Sequence, residues 1–207
     1  METYYHRCNE SLTLNNPPAE TRSGIFLDRD GTLIKEKHYL KNINDIEFFP
    51  EVTSSLKQLA SNGFSLYLYT NQAGIAHGLF NEETLGEIHQ HLLGELEKNG
   101  VQLQGVLYCP HHPHAENLDY RADCFGRKPN PGLLYQAALI DKIDLGHSYV
   151  IGDKLIDVLA GKKAGTKTVL VLTGYGEQEA LKITPETLPD YIAPTLSQAV
   201  TWIISKL

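Results

Sequence analysis

The sequence predicts an α/β protein whose parallel sheet is covered by helices on both faces, and three observations carry that prediction. Short apolar runs of strand length recur at residues 24–27, 64–69, 105–108, 149–151 and 168–172. Segments with helical spacing lie between them. Residues that carry chemistry stand just after the apolar runs, at the edge where a parallel sheet gathers its functional groups.

Taken in order, residues 1–22 are polar, contain Asn-Asn-Pro-Pro and show no sustained period, so they are expected as an extension outside the core, with 23–207 as one domain. The run 24–27 leads into Asp28. A helix is expected over 52–62, and the run 64–69 leads into Thr70-Asn71-Gln72. Asn81 is a plausible N-cap, followed by Glu82, Glu83 and an apolar stripe of Leu85, Ile88, Leu92 and Leu96. The run 105–108 ends at Cys109. Gly126, Pro129, Pro131 and Gly132 mark a turn-rich connection into a helix at 133–140. The run 149–151 leads into Gly152-Asp153, and further helices are expected at 156–164 and 197–204, the last packing Trp202 inward.

Bulk properties exclude several classes. A length of 207 residues suits one well-buried domain. No apolar stretch approaches the length of a bilayer span, and METYYHRCNE lacks the basic start and apolar core of a signal peptide, so a cytoplasmic protein without a membrane partner is expected. The net charge of -7 argues against non-specific nucleic-acid binding. A monomer acting on a small molecule is the default. Cys8, Cys109 and Cys124 cannot all pair, and in a reducing compartment a thiol or metal role fits them better than a disulfide scaffold.

The stretch FLDRDGT sets Asp28 and Asp30 one residue apart at a strand end. Two carboxylates so close repel unless a cation sits between them, and Mg²⁺ prefers such oxygen ligands. Asp153, at another strand end, supplies a further oxygen. A carboxylate can also attack phosphorus, forming an aspartyl-phosphate, while a second carboxyl group shuttles the proton. Asp28 suits the first role and Asp30 the second. Thr70 and Lys128 would stabilise the phosphoryl oxygens.

FLDRDGT, TNQ, RKPNPG and IGDKLID together resemble the four motifs of the haloacid dehalogenase (HAD) superfamily of phosphohydrolases, in order. The longer stretches FLDRDGTLI, TNQAGIAHGLF, YCPHHP, RKPNPG, VIGDKLIDVLAG and KTVLVLTG are similar to the D-glycero-D-manno-heptose 1,7-bisphosphate phosphatase family, over about residues 24–205. The resemblance implies a HAD-like, Rossmannoid three-layer sandwich, capless apart from a Cys/His loop that acts as a partial lid. It implies Asp28 as nucleophile, Asp30 as acid/base, and Mg²⁺ held by Asp28, the Asp30 backbone carbonyl and Asp153. Arg127 falls at the position that grips a second phosphate, and Glu36, Lys37, His38, Tyr39, Asn71, Gln72, Ala73 and Lys154 fall at substrate-contacting positions. The expected activity is hydrolysis of the C7 phosphate of a heptose 1,7-bisphosphate, on the route to cell-surface polysaccharide. Histidinol-phosphate or broader sugar-phosphate hydrolysis is the alternative, and a phosphate-binding protein without turnover is the alternative of another class.

The same resemblance implies a zinc site in that loop, with one departure. Cys109, His111 and Cys124 match three ligands, but Gly126 stands where the family has its fourth cysteine. Water, His112, His114 or Asp123 are the candidates to close a four-coordinate site, and His114 is the preferred substitute over the distant Cys8. His77 replaces an arginine common in the family. Asp157 is expected to orient a neighbour rather than to bind metal directly. His89 and His91 are expected at the surface.

Overall fold

The computed structural model describes residues 4–7 and 21–207. Seven parallel strands among them form one sheet: β1 (Tyr4–Arg7), β2 (Gly24–Leu27), β3 (Ser65–Asn71), β4 (Gly105–Cys109), β5 (Tyr149–Gly152), β6 (Lys167–Val171) and β7 (Tyr191–Ala193). Their spatial order is β1-β4-β3-β2-β5-β6-β7. The helices are α1 (Val52–Ser61), α2 (Ala73–Ala76), α3 (Glu82–Lys98), α4 (Gly132–Asp141), α5 (Leu155–Ala164), α6 (Gly176–Ala180) and α7 (Leu196–Ile204).

Strands buried on both faces read as continuous apolar runs, which is why β2, β4 and β5 are legible as such. Side chains alternate between the faces: Ile25 and Leu27 meet α1, α3 and α7, whereas Phe26 meets α4 and α5. The stripe Leu85, Ile88, Leu92 and Leu96 is buried as expected, and the Asn81 side chain accepts a hydrogen bond from Thr84 N at 2.8 Å, starting α3. These are the three expected layers.

Four elements are additional to the expectation. The short helices α2 and α6 follow β3 and β6, and β7 is only three residues long. The fourth is β1, which pairs in parallel with β4 from inside the segment expected to lie outside the core. An edge strand has one partner and needs no long apolar run, so composition alone hides it. The proline-containing part of that segment, and Cys8, lie outside the described residues.

The connectivity positions the site. From β2 the chain moves outward through β3 to β4, then crosses back to place β5 on the other side of β2. This reversal opens a crevice at the C-terminal ends of β2 and β5, where Asp28 and Asp153 stand.

Candidate active site

Asp28 continues the ladder beyond β2, its N–H donating to Ile151 O at 2.9 Å, so the carboxylate is fixed by the sheet itself. It is 5% exposed. Its Oδ1 lies 2.8 Å from Lys128 Nζ, and the same ammonium lies 2.5 Å from Asp157 Oδ1. Lys128 reaches this position by two restraints: Asn71 both accepts from its N–H and donates to its carbonyl, at 3.0 and 3.1 Å, and its Nζ packs 4.5 Å above the Tyr69 ring. Asp157, in the first turn of α5, uses its other oxygen to accept from Lys154 N at 3.1 Å. It is thus an orienting acceptor, aimed at Lys128 as well as at the Lys154 backbone.

Charge balance follows from this geometry. Burial pushes the Asp28 carboxyl upward, but Lys128 and Lys154 outweigh it and hold the group below its ordinary value. Burial opposes the Lys128 ammonium, yet Asp157 and Asp28 keep it above its ordinary value. Asp157 is pushed up to about 6 by burial, against the pull of Lys128. The nucleophile candidate is therefore an ionised carboxylate at neutral pH, held by a buried lysine.

Asp153 is fully buried, and its carboxyl is pushed up to about 8, first by burial and then by the negative charge of Asp28. Its Oδ2 accepts from Tyr175 N at 2.8 Å, while Oδ1 has no hydrogen-bond partner and stands 4.0 Å from Lys154 Nζ. A side chain at either of two glycines would strike this carboxylate: a Cβ on Gly31 would lie 2.1 Å from Asp153 Oδ2, and one on Gly174 would lie 2.3 Å from it. Both glycines have positive φ, 82° and 57°. Oxygens of Asp28, Asp153 and Asp157 lie within 4.8 Å of one another. A buried, hydrogen-bond-deficient carboxylate oxygen beside two other carboxylates fits a hard divalent cation such as Mg²⁺.

Asp30 differs from the spacing-based expectation of a cation between the paired side chains. Its carboxylate is taken by its neighbour Arg29, whose Nε and Nη2 donate at 3.1 and 2.9 Å, and by Gln72 Nε2 at 3.3 Å. Arg29 is 1% exposed and also donates to Gln72 Oε1 at 3.2 Å. The Arg29 guanidinium thus holds the Asp30 side chain away from the Asp28 carboxylate and leaves the Asp30 backbone carbonyl as the oxygen it can offer a cation. Gln72 further donates to Thr70 Oγ1 at 3.0 Å, so the Thr70 hydroxyl keeps its own proton to donate to another group.

Behind this network His89 is buried, 3.4 Å from Arg29 Nη1, with its pKa pushed well down by burial and by Arg29. The expectation of a surface His89 is corrected. His91 is exposed as expected.

A cleft of about 380 Å³ opens beside Asp30. Glu36, His38, Tyr39, Asn71, Gln72, Ala73, Arg127 and Lys154 all line it. Lys37 does not: its ammonium is turned to Glu47, 3.5 Å away. Tyr175, which sequence reasoning missed, is also in the wall. Its only sequence signal is its place three residues after the expected run 168–172, at the functional edge.

The Cys/His loop reaches the cleft through its contact with Arg127. Cys109, His111 and Cys124 are buried, with ligand atoms within 4.8 Å of one another. His114 is exposed, its ring 5.9 Å from that of His112, and it is not part of the group; the preferred fourth ligand is therefore corrected. Arg127 donates to His111 O at 3.0 Å, so the loop directly aims a cleft residue.

Comparison with known proteins agrees with this geometry. Residues 125–199 match the HAD-hydrolase-like family model. The D-glycero-beta-D-manno-heptose-1,7-bisphosphate 7-phosphatase of Haemophilus ducreyi is 39% identical over 184 residues, covering 88% of this chain and 98% of its own. The enzyme of the same name from Escherichia coli K12 is 38% identical over 191 residues, covering 91% and 92%. The crystal structure of D,D-heptose 1,7-bisphosphate phosphatase from B. bronchiseptica, complexed with magnesium and phosphate, superposes with a TM-score of 0.79 at 28% identity, covering 89% of this chain and 99% of that one. With 38–39% identity over nearly the full length of both partners, the chain belongs to the D-glycero-β-D-manno-heptose-1,7-bisphosphate 7-phosphatase family of HAD-like hydrolases.

Proposed function

We propose that this chain is a Mg²⁺-dependent phosphatase that removes the C7 phosphate of D-glycero-D-manno-heptose 1,7-bisphosphate. The observation that carries the reading is the buried group Asp28, Lys128, Asp157 and Asp153, in which one carboxylate is paired with lysine and another keeps an oxygen without a hydrogen bond. Asp28, Asp153 and the Asp30 backbone carbonyl would hold Mg²⁺, which, when bound, supplies positive charge that screens the phosphoryl group from the carboxylates.

The chain's own groups account for the remaining chemistry. An Asp28 oxygen attacks phosphorus as the bond from phosphorus to the C7 oxygen breaks. Asp30, as general acid, gives a proton to that oxygen, releasing the sugar alcohol. Asp30, now a carboxylate, takes a proton from the water that attacks the aspartyl-phosphate, and phosphate leaves with Asp28 restored. Lys128 and the Thr70 hydroxyl hold the phosphoryl oxygens through both steps. Arg127 and the loop at 36–39 receive the far end of the substrate, where a guanidinium suits a second phosphate.

The loop holding Arg127 fits zinc through Cys109, His111 and Cys124, since thiolate and imidazole suit that ion, with the fourth position left to a ligand other than His114. Near-stoichiometric zinc in purified protein, lost together with affinity for the bisphosphate on chelation, is the expected result. A folded protein without zinc would remove this part.

Steady-state rates on heptose 1,7-bisphosphate, fructose 1,6-bisphosphate and histidinol phosphate test the substrate assignment. The highest kcat/KM is expected for the heptose, and a clear preference for histidinol phosphate would overturn it. Asp28→Asn should lower kcat by more than about 10³-fold while leaving the circular dichroism spectrum intact. Normal turnover in that variant would refute the nucleophile.

A further inference from the structure

We propose that Tyr175 is a positioning and specificity-determining residue that ties the substrate loop at 36–39 to the Asp153 carboxylate. The proposal rests on the phosphatase reading above, because it concerns how an extended sugar phosphate is held in the same cleft. Tyr175 lies beyond the run of residues that the family resemblance assigns to substrate, and three contacts define its place. Its backbone N–H donates to Asp153 Oδ2 at 2.8 Å. Its phenol Oη and His38 Nδ1 form a hydrogen bond of 2.8 Å. Its ring carries Lys154 Nζ 4.7 Å from the centroid.

These contacts close a ring around the mouth of the crevice. Lys154 Nζ donates to Glu36 Oε2 at 3.2 Å, and the other Glu36 oxygen accepts from His38 N at 2.6 Å. Tyr175, His38, Glu36 and Lys154 therefore each touch the next. Both anchors of the loop lead directly to Asp153: Lys154 follows it in the chain, and Tyr175 hydrogen-bonds it. His38 has φ of 60°, a left-handed conformation that a histidine holds only when its surroundings fix it. Across the cleft, the Tyr175 phenol grips the imidazole of that residue. Cation-π attraction adds a second effect, keeping the Lys154 ammonium over the ring and facing the cleft.

The consequence is selective. A substrate that extends past its ester oxygen must lie against the loop, so its binding depends on the loop being held. A short phosphate ester reaches only Asp28, Thr70 and Lys128, so it is far less sensitive.

Tyr175→Phe is the sharp test, because it retains the backbone N–H and the ring under Lys154 and deletes only the phenol. His38→Gly is the companion, since glycine accepts the left-handed backbone. Kinetics with Mg²⁺ would be measured for both, and for the double variant, on heptose 1,7-bisphosphate and on p-nitrophenyl phosphate. Each single variant should raise KM for the bisphosphate by about fivefold, the effect of one hydrogen bond, with a smaller change in kcat. The double variant should be no worse than the worse single one. For p-nitrophenyl phosphate the change in KM should be well below that for the bisphosphate. Multiplicative effects in the double variant, or an equal rise of KM on both esters, would overturn the proposal. If Tyr175→Phe fails to fold, Tyr175→Met takes its place, and the same split between the two esters decides. Should the wild-type protein prefer another sugar phosphate, the substrate assignment fails, and the same comparison made with the preferred sugar phosphate still tests Tyr175.

Discussion

Lys128 neutralises Asp28 and Asp157 at once while all three are buried, so the cost of removing it is larger than that of an ordinary ion pair. Lys128→Met would leave two carboxylates close together without a cation, and the uncompensated charge should destabilise the protein by about 3–5 kcal/mol. Adding Asp157→Asn removes one of those charges and should recover part of the loss. Urea unfolding of the two variants in metal-free buffer checks this, and a double variant less stable than Lys128→Met would contradict it. Asp153 makes the complementary argument for protons. The folded, metal-free protein keeps Asp153 protonated up to about 8, whereas the ordinary value is 3.8. Between those values the folded state binds more protons than the unfolded one, so this group's contribution to stability falls as pH rises. Mg²⁺ must displace the proton, so its apparent affinity should weaken by about tenfold per unit below pH 8. Calorimetric titration at pH 6.5 and 7.5 should show that trend together with proton release, and a pH-independent affinity would show that Asp153 is already ionised before the metal binds.

The turn after β6 acts on the site as a unit. Thr173 Oγ1 donates to Gly31 O at 2.6 Å, Gly174 passes close to Asp153, and Tyr175 N binds its carboxylate. Gly174→Ala would bring a methyl group against both Asp153 and the Gly31 backbone at a positive φ, so about 1–3 kcal/mol of stability should be lost along with most of the thermal shift induced by Mg²⁺. Differential scanning fluorimetry with and without Mg²⁺ checks both effects, and an unchanged shift would show that the turn has room to relax. Strand-end residues such as Asp28, Thr70 and Asp153 were legible because a parallel sheet converts separate sequence positions into neighbours at one edge. The Tyr175 turn was not, since it has no paired acids, cysteines or basic dipeptide. His89 illustrates a different loss: it is four residues after Leu85 and three before Leu92, so the apolar stripe already covered it, but a polar residue type masked the helical period. The Arg29 contact was hidden because adjacent residues in a strand face opposite sides, and only the turn after β2 lets Arg29 fold back onto Asp30.

At the scale of the whole molecule, the sheet separates catalysis from closure of its edge. The crevice lies between β2 and β5 in the middle of the sheet, whereas β1 covers the outer side of β4. Losing β1 would leave the outer backbone edge of Gly105–Tyr108 unpaired, next to the Cys/His loop that begins at Cys109. An exposed parallel edge recruits other chains, which favours self-association. Among the described residues, the contacts that hold Asp28, Lys128 and Asp153 come from Ile151, Asn71, Asp157 and Tyr175 and from one another, and these remain. A chain starting at Arg22 should therefore retain kcat within about twofold while forming dimers or larger species at micromolar concentration, as unpaired edges do. Light scattering coupled to size-exclusion chromatography would detect the association, and activity measured on the separated monomer would isolate the catalytic effect. A monodisperse truncated protein would show that β4 needs no such cover. Loss of kcat in the separated monomer would instead mean that β1 supports the active site through β4 and Cys109, so the edge and the crevice would not be independent parts of this fold.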